Sequence, residues 1–176
     1  GSVYVEELWT DVRHIEVQVL GDGTGAVTDL GERDCSIQRR HQKIVEVTPS
    51  PGLPAAVREA VIGAALTLAR HVRYDNIGTF EFLVDPADGR FAFIEANPRL
   101  QVEHTITEEV TGTDLVAAQL RLAGGSTLAE LPDLARPEGS AIQLRINLES
   151  MQPDGSARPT GGRLAVYDLP TGPGIR

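Results

Sequence analysis

Residues 78–97, GTFEFLVDPADGRFAFIEAN, place two runs of mostly apolar residues on either side of Asp-Pro-Ala-Asp-Gly. The Pro and Gly of that run suit a tight reversal, so the spacing predicts two antiparallel strands. If Leu83 opposes Phe93, Glu81 and Glu95 stand directly opposite one another on one face. Opposed side chains lie about 5 Å apart at Cβ, where like charges repel. Phe80, Phe82, Phe93 and Ile94 flank the two carboxylates. Screening there is poor, and ionising both acids is costly unless a cation lies between them. Asn97, two residues beyond Glu95, projects from the same face and adds a carbonyl oxygen. Such hard oxygen donors suit Mg²⁺ or Mn²⁺ better than zinc. Sheet geometry alone leaves a second reading open, in which both glutamates lie on a solvated face and tolerate each other.

Upstream, Ile15, Val17 and Val19 alternate with Glu16 and Gln18, and a Gly-rich turn about Gly21 to Gly25 follows. This predicts a β-hairpin with a short second strand. GDGTG lacks the lysine of a phosphate loop and lies between alternating strands, so it reads as a turn without a ligand. A polar, basic stretch from Cys35 runs into an Ile44–Val47 strand. Pro49, Pro51, Gly52 and Pro54 then punctuate the chain before a helix from about Pro54 to Val72, whose apolar residues recur at three and four. A second helix is expected from about Asp114 to Ala123, closed by Gly124-Gly125. Two further strands are expected at 141–148 and 163–169, and one at Val3–Val5. With Gly1-Ser2 ahead of that strand and a turn-rich PTGPGIR at the far end, both ends read as cut.

The chain has 176 residues, 41% of them hydrophobic and 23% charged, with a formal net charge of −9. That composition fits a globular domain with a sizeable core. The acidic balance argues against a nucleic-acid partner, which needs a basic footprint. Cys35 is the single cysteine and has no internal disulfide partner. No apolar run approaches the roughly 20 residues of a membrane span, and no signal-peptide pattern opens the chain. A cytoplasmic setting with no membrane partner is therefore expected.

RHIEVQVLGDG, ERDCSIQRRHQKIVEVTPSPG, GTFEFLVD and FIEANPRLQVEHTITEEVTGTDL together resemble biotin carboxylase, a family of ATP-grasp ligases. The four motifs stand in order and cover nearly the whole chain. The resemblance implies an α+β fold, an ATP-grasp-type mainly antiparallel sheet with packed helices. Residues 1–125 would form the C-terminal part of the ATP-grasp domain, 126–139 a linker, and 140–176 the initial strands of a truncated C-terminal subdomain. It also implies ATP, Mg²⁺ or Mn²⁺, and biotin on a carrier domain as cofactors. The implied partners are bicarbonate, the biotin carboxyl carrier domain, a carboxyltransferase component and the remainder of the biotin carboxylase domain.

Residue by residue, Glu81, Glu95 and Asn97 match the family's metal ligands. His14, Gln38 and His41 match positions that contact the nucleotide, and Leu83 and Ile94 match apolar residues packed around it. Lys43, Arg99, Gln101, Val102 and Glu103 match the bicarbonate site, and Arg145 matches an arginine facing bicarbonate and biotin. Taken singly, each imidazole or cation here reads as an ordinary structural or surface group. Glu6, Glu7 and Leu8, before Trp9, would line the nucleotide's base, although the family has a basic residue where Glu7 stands. Bicarbonate is a poor nucleophile, so a carboxylate beside it, Glu103, has the chemistry to remove its proton, while Arg99 and Lys43 hold the anion in line.

The N-terminal subdomain and the glycine-rich lid have no counterpart in these residues. Lid closure excludes water from reactive intermediates, so the chain by itself is expected not to turn over. Two alternatives stand beside this reading. One is another bicarbonate-activating ATP-grasp ligase of carbamoyl-phosphate synthase type, and the other is a non-catalytic binding or assembly module.

Overall fold

The computed structural model of this chain describes residues 3–132 and 134–176, so the Gly1-Ser2 boundary noted above lies outside them. The chain divides into a first unit ending at Arg145 and a second, Ile146–Arg176. In the first unit, strands β1 (Arg13–Asp22), β2 (Val27–Arg39), β3 (Gln42–Thr48), β4 (Asp75–Val84), β5 (Phe91–Asn97) and β6 (Ala141–Leu144) form one sheet in the order β5-β4-β1-β2-β3-β6. All its pairings are antiparallel. Helices α1 (Ala55–His71), α2 (His104–Thr111) and α3 (Leu115–Ala123) pack on it. This is the α+β, mainly antiparallel architecture expected of an ATP-grasp-type sheet.

The alternation of β1 gives the sheet two different buried faces. On one, Ile15, Val17 and Val19 join Phe80, Phe82 and Val84 of β4 beneath Val61, Ala65 and Ala69, the i, i+4, i+8 stripe of α1. On the other, the character of the face changes along the strands. At one end Leu20, Leu30 and Ile77 pack under Leu115, Ala118 and Leu122 of α3. At the other end Glu16, Gln18, Arg33, Thr79 and Glu81 are all buried polar groups. An open cavity stands over this polar end.

Helix α3 starts where expected, with the Asp114 carboxylate accepting from Ala117 N at 2.8 Å. Helix α2 is absent from the sequence reading, because its eight residues, HTITEEVT, include β-branched residues of modest helix propensity. Burial of Ile106, Thr107 and Val110 supplies the stabilisation, and Gly112 closes the helix at φ 67°.

The polar, basic stretch from Cys35 begins as the second half of β2, and it turns into β3 through Arg40 and His41 alone. Both turn residues have positive φ, 52° and 63°, as the right-handed twist of a two-residue hairpin requires. Residues 3–12 form no strand, and Val3, Tyr4, Val5 and Leu8 are exposed; a lone extended run gains no ladder without a sheet edge beside it. The expected strand at 141–148 ends at Leu144, and the one at 163–169 is irregular.

In the second unit the pairing falls instead on β7 (Glu149–Met151) and β8 (Ala157–Pro159). The reversal between them uses Asp154 and Gly155, with Ser156 N donating to Asp154 Oδ1 and Gly155 at φ 79°. This is the same turn chemistry as in residues 85–89, inside a run taken for connection only. In the first unit, residues 126–139, expected to act as a linker, lay Leu128, Leu131 and Leu134 on the α3-side core.

Candidate active site

The paired glutamates are where the sequence puts them, with Glu81 opposite Glu95 and Asn97 opposite Thr79. The register beyond them differs from expectation: Phe93 faces Phe82, and Leu83 faces Ala92. Ile94 is the extra residue of a β-bulge, and this one-residue insertion brings both Ile94 and Glu95 to the cavity. Poor screening holds for Glu81, 4% exposed, but not for Glu95, which is exposed on the edge strand. Asn97 Nδ2 donates to Glu81 Oε1 at 2.9 Å and to Glu95 Oε1 at 3.0 Å. An amide NH₂ thus stands between the two carboxylates, at the point on which their oxygens converge. Turned about its last bond, the same amide presents oxygen instead. These three side chains therefore fit a hard divalent cation.

An open cavity of about 830 Å³ lies above the polar end of the sheet. The residues matched from the sequence to metal, nucleotide and bicarbonate line it, whereas Glu6, Glu7 and Leu8, expected beside the nucleotide's base, do not and are exposed. The metal-ligand candidates Glu81, Glu95 and Asn97 stand on β4 and β5, and Leu83 and Ile94 supply the apolar wall beside them. His14 from β1 and Gln38 and His41 from the β2–β3 hairpin form a second side. Lys43 on β3, the Arg99–Glu103 segment before α2 and Arg145 just after β6 form a third. Arg40 and Gln42 also line the cavity and were not singled out from the sequence.

Hydrogen bonds fix the orientation of most of these groups. Gln38 Nε2 donates to Cys35 O at 2.8 Å and to His14 Nδ1 at 2.7 Å, so His14 carries its proton on Nε2 and donates it to Glu81 Oε2 at 2.5 Å. Glu81 Oε1 accepts from Gln101 Nε2 at 2.9 Å and Lys43 Nζ at 3.2 Å as well as from Asn97. Burial alone would push the Glu81 carboxyl up; the bonds from His14 and Gln101 and the Lys43 charge outweigh it and hold it down at about 2.

Lys43 also donates to Glu103 Oε1 at 2.8 Å and to Glu16 Oε2. Its burial favours the neutral amine, but the Glu16 charge and the bond to Glu103 raise its pKa above the usual lysine value. Arg145 bonds Glu46 Oε1 and Glu103 Oε2, both at 2.6 Å. Burial raises the Glu103 carboxyl and the Lys43 contact overcomes it, leaving Glu103 below the ordinary carboxylate range. Glu46, buried with Oε2 unpartnered, is held above that range by its desolvation in spite of Arg145. Among the described residues Gln101 Oε1 is a second buried polar atom without a partner, at the cavity wall. Among the described residues Arg99 makes one side-chain hydrogen bond, at 3.3 Å to Leu100 O, which leaves most of its guanidinium donors for a ligand.

Beneath this layer lie groups the sequence did not single out. Glu16 and Gln18 read as one polar face of an alternating strand. Yet β1 is a central strand, flanked by β4 and β2, and both its faces are covered. Fully buried polar side chains on a central strand are the signal that could have marked them.

Residues 1–131 match the family described as "Carbamoyl-phosphate synthase L chain, ATP binding domain". The whole chain is 52% identical to "Pyruvate carboxylase 1" of Caenorhabditis elegans and 48% identical to "Biotin carboxylase" of Nostoc sp.. It spans 15% of the first and 39% of the second. A solved structure, "Biotin Carboxylase domain of single-chain bacterial carboxylase", matches 99% of the chain at 56% identity with a TM-score of 0.87, over 39% of its own length. The "Crystal structure of the biotin carboxylase subunit of pyruvate carboxylase" matches 94% at 44% identity with a TM-score of 0.83, over 36% of its length. Four motifs in order, one antiparallel sheet and relatives of this identity agree: the chain belongs to the family of the carbamoyl-phosphate synthase L chain ATP-binding domain, among its biotin carboxylase members.

Proposed function

We propose that this chain is the ATP- and bicarbonate-handling part of a biotin carboxylase, which carboxylates biotin by way of carboxyphosphate. The observation that carries the reading is the meeting, in one cavity, of a carboxylate–amide set, two imidazoles, Glu103 and four cations, Arg40, Lys43, Arg99 and Arg145. Glu81, Glu95 and Asn97 would hold Mg²⁺ or Mn²⁺, which when bound offsets charge on a transferring phosphoryl group. His14, Gln38 and His41, with Leu83 and Ile94, would seat the nucleotide. Lys43, Arg99, Gln101 and Val102 would hold bicarbonate. As a bicarbonate oxygen attacks the γ-phosphorus and ADP departs, Glu103 takes the bicarbonate proton. Arg145, bonded to Glu103 at 2.6 Å, would face bicarbonate and biotin and stabilise the enolate-like oxygen of biotin as the phosphate released from carboxyphosphate takes the ureido proton.

The full-length protein that carries this chain should cleave ATP only when bicarbonate is present, with free biotin as acceptor. A rate indifferent to bicarbonate would sink the proposal, and an ammonia-dependent product would point to carbamoyl-phosphate chemistry. Calorimetry with Mg-ATP that detects no binding by the full-length protein would favour a non-catalytic module.

The strained turn gives a further expectation. A non-glycine residue at positive φ costs about 1–2 kcal/mol, part of which Gly returns as unfolded-state entropy. His41→Gly should therefore raise thermal stability by a net ~0.5–1 kcal/mol while raising the KM for ATP about ten-fold, as loss of a seating contact does. An unchanged KM would remove His41 from the nucleotide site.

A further inference from the structure

Arg33 is the largest fully buried side chain of the described residues, and no part of the site reading uses it. Its Nε donates to Glu16 Oε1 at 2.5 Å, and Nη1 donates to Gln18 Oε1 and Thr107 Oγ1, both at 2.8 Å. Nη2 reaches Thr79 Oγ1 at 3.2 Å. One planar fork thus ties β1, β2, β4 and α2 together under the cavity floor, a task for which arginine's fixed donor geometry is suited and lysine's point charge is not.

Glu16 is equally buried, and its two oxygens are divided: Oε1 belongs to Arg33 and Oε2 to Lys43. Lys43 is in turn divided among three carboxylates, Glu16 below and Glu81 and Glu103 at the cavity. A desolvated carboxylate without its other partner demands more from the one that remains, because the uncompensated charge has no water to turn to. Without Arg33, Glu16 would draw the Lys43 ammonium down onto both its oxygens and away from the cavity.

We infer that Arg33 is a positioning residue for Lys43, acting through Glu16: it occupies one Glu16 oxygen so that Lys43 stays presented to Glu103 and to an incoming bicarbonate. The inference rests on the reading of Lys43 as a bicarbonate-holding group. The test is a double-mutant cycle in the full-length protein, reading KM for bicarbonate and for ATP in wild type, Arg33→Met, Glu16→Gln and the pair. Arg33→Met should raise the bicarbonate KM about ten-fold or more, in line with the cost of a misplaced group, and move the ATP KM less than about two-fold. In the Glu16→Gln background, where the neutral amide exerts no such pull, adding Arg33→Met should change the bicarbonate KM less than about two-fold. An equal effect in both backgrounds, or a parallel rise of both KM values, would make Arg33 merely structural and overturn the inference. If Arg33→Met does not fold, Arg33→Lys carries the same cycle, since it keeps the buried charge without the fork. The wild-type dependence on bicarbonate tests the functional reading separately from the variants.

Discussion

Glu103→Gln in the full-length protein is expected to lower bicarbonate-dependent ATP cleavage by about 10²–10⁴-fold, the contribution usual for a positioned general base. Binding of Mg-ATP should persist, because Glu103 contacts none of the residues assigned to the nucleotide: its side-chain partners are Lys43 at 2.8 Å and Arg145 at 2.6 Å. Against the effect of burial, the bond and charge of Lys43 hold the carboxylate below its ordinary pKa, which makes it a weak base before the substrate arrives. An anion that takes over Lys43 weakens that hold, and the basicity of Glu103 is expected to rise as bicarbonate binds. The variant keeps the shape of the side chain and one acceptor oxygen, so a melting curve separates loss of chemistry from loss of fold. Turnover within about three-fold of wild type would remove Glu103 as the base.

The antiparallel pair 78–97 was legible because its signal is local: turn residues sit between two apolar runs. The Glu81–Glu95 pair was read from a register with Leu83 opposite Phe93, whereas the bulge at Ile94 brings the same two residues together. Helices α1 and α3 were legible from period and caps. What failed was of another kind. The bulge at Ile94 depends on the neighbouring strand, not on the residue itself. Helix α2 is short and held by what covers it, while Val3–Val5 and Val166 have strand-like composition but no strand partner.

The site divides in the same way. Its rim, from Glu95 to Glu103, was found because the residues are consecutive and the pattern resembles a known family. Its floor, Glu16, Arg33 and Glu46, gathers from three strands that only the sheet order β1-β2-β3 brings together. Arg33 and Glu46 appeared in sequence as common charged residues, and nothing in a charge pattern distinguishes a buried one from a solvated one.

Glu81 carries the second large expectation, because it is both a proposed metal ligand and a structural acceptor. Its carboxyl titrates at about 2, against an ordinary 4.5. At about 1.4 kcal/mol per pH unit this difference amounts to as much as about 3 kcal/mol of stability. The folded-state pKa is depressed, so the contribution is fully present above the unfolded value near 4.5 and is lost as pH falls from there towards 2. Glu81→Gln should remove it: the variant should be less stable at neutral pH, and its stability should fall less steeply than that of wild type between about pH 4.5 and 2. The loss at neutral pH follows from the donors left behind, since His14, Gln101, Asn97 and Lys43 all converge on these two oxygens. Activity should fall with it, because an amide places less charge beside Glu95 for a divalent cation to neutralise. Raising Mg²⁺ should recover part of the lost rate, which a purely structural defect would not allow. Identical acid limbs in variant and wild type would show that Glu81 is not held as the geometry requires, and a rate deficit indifferent to Mg²⁺ would take it out of the metal site.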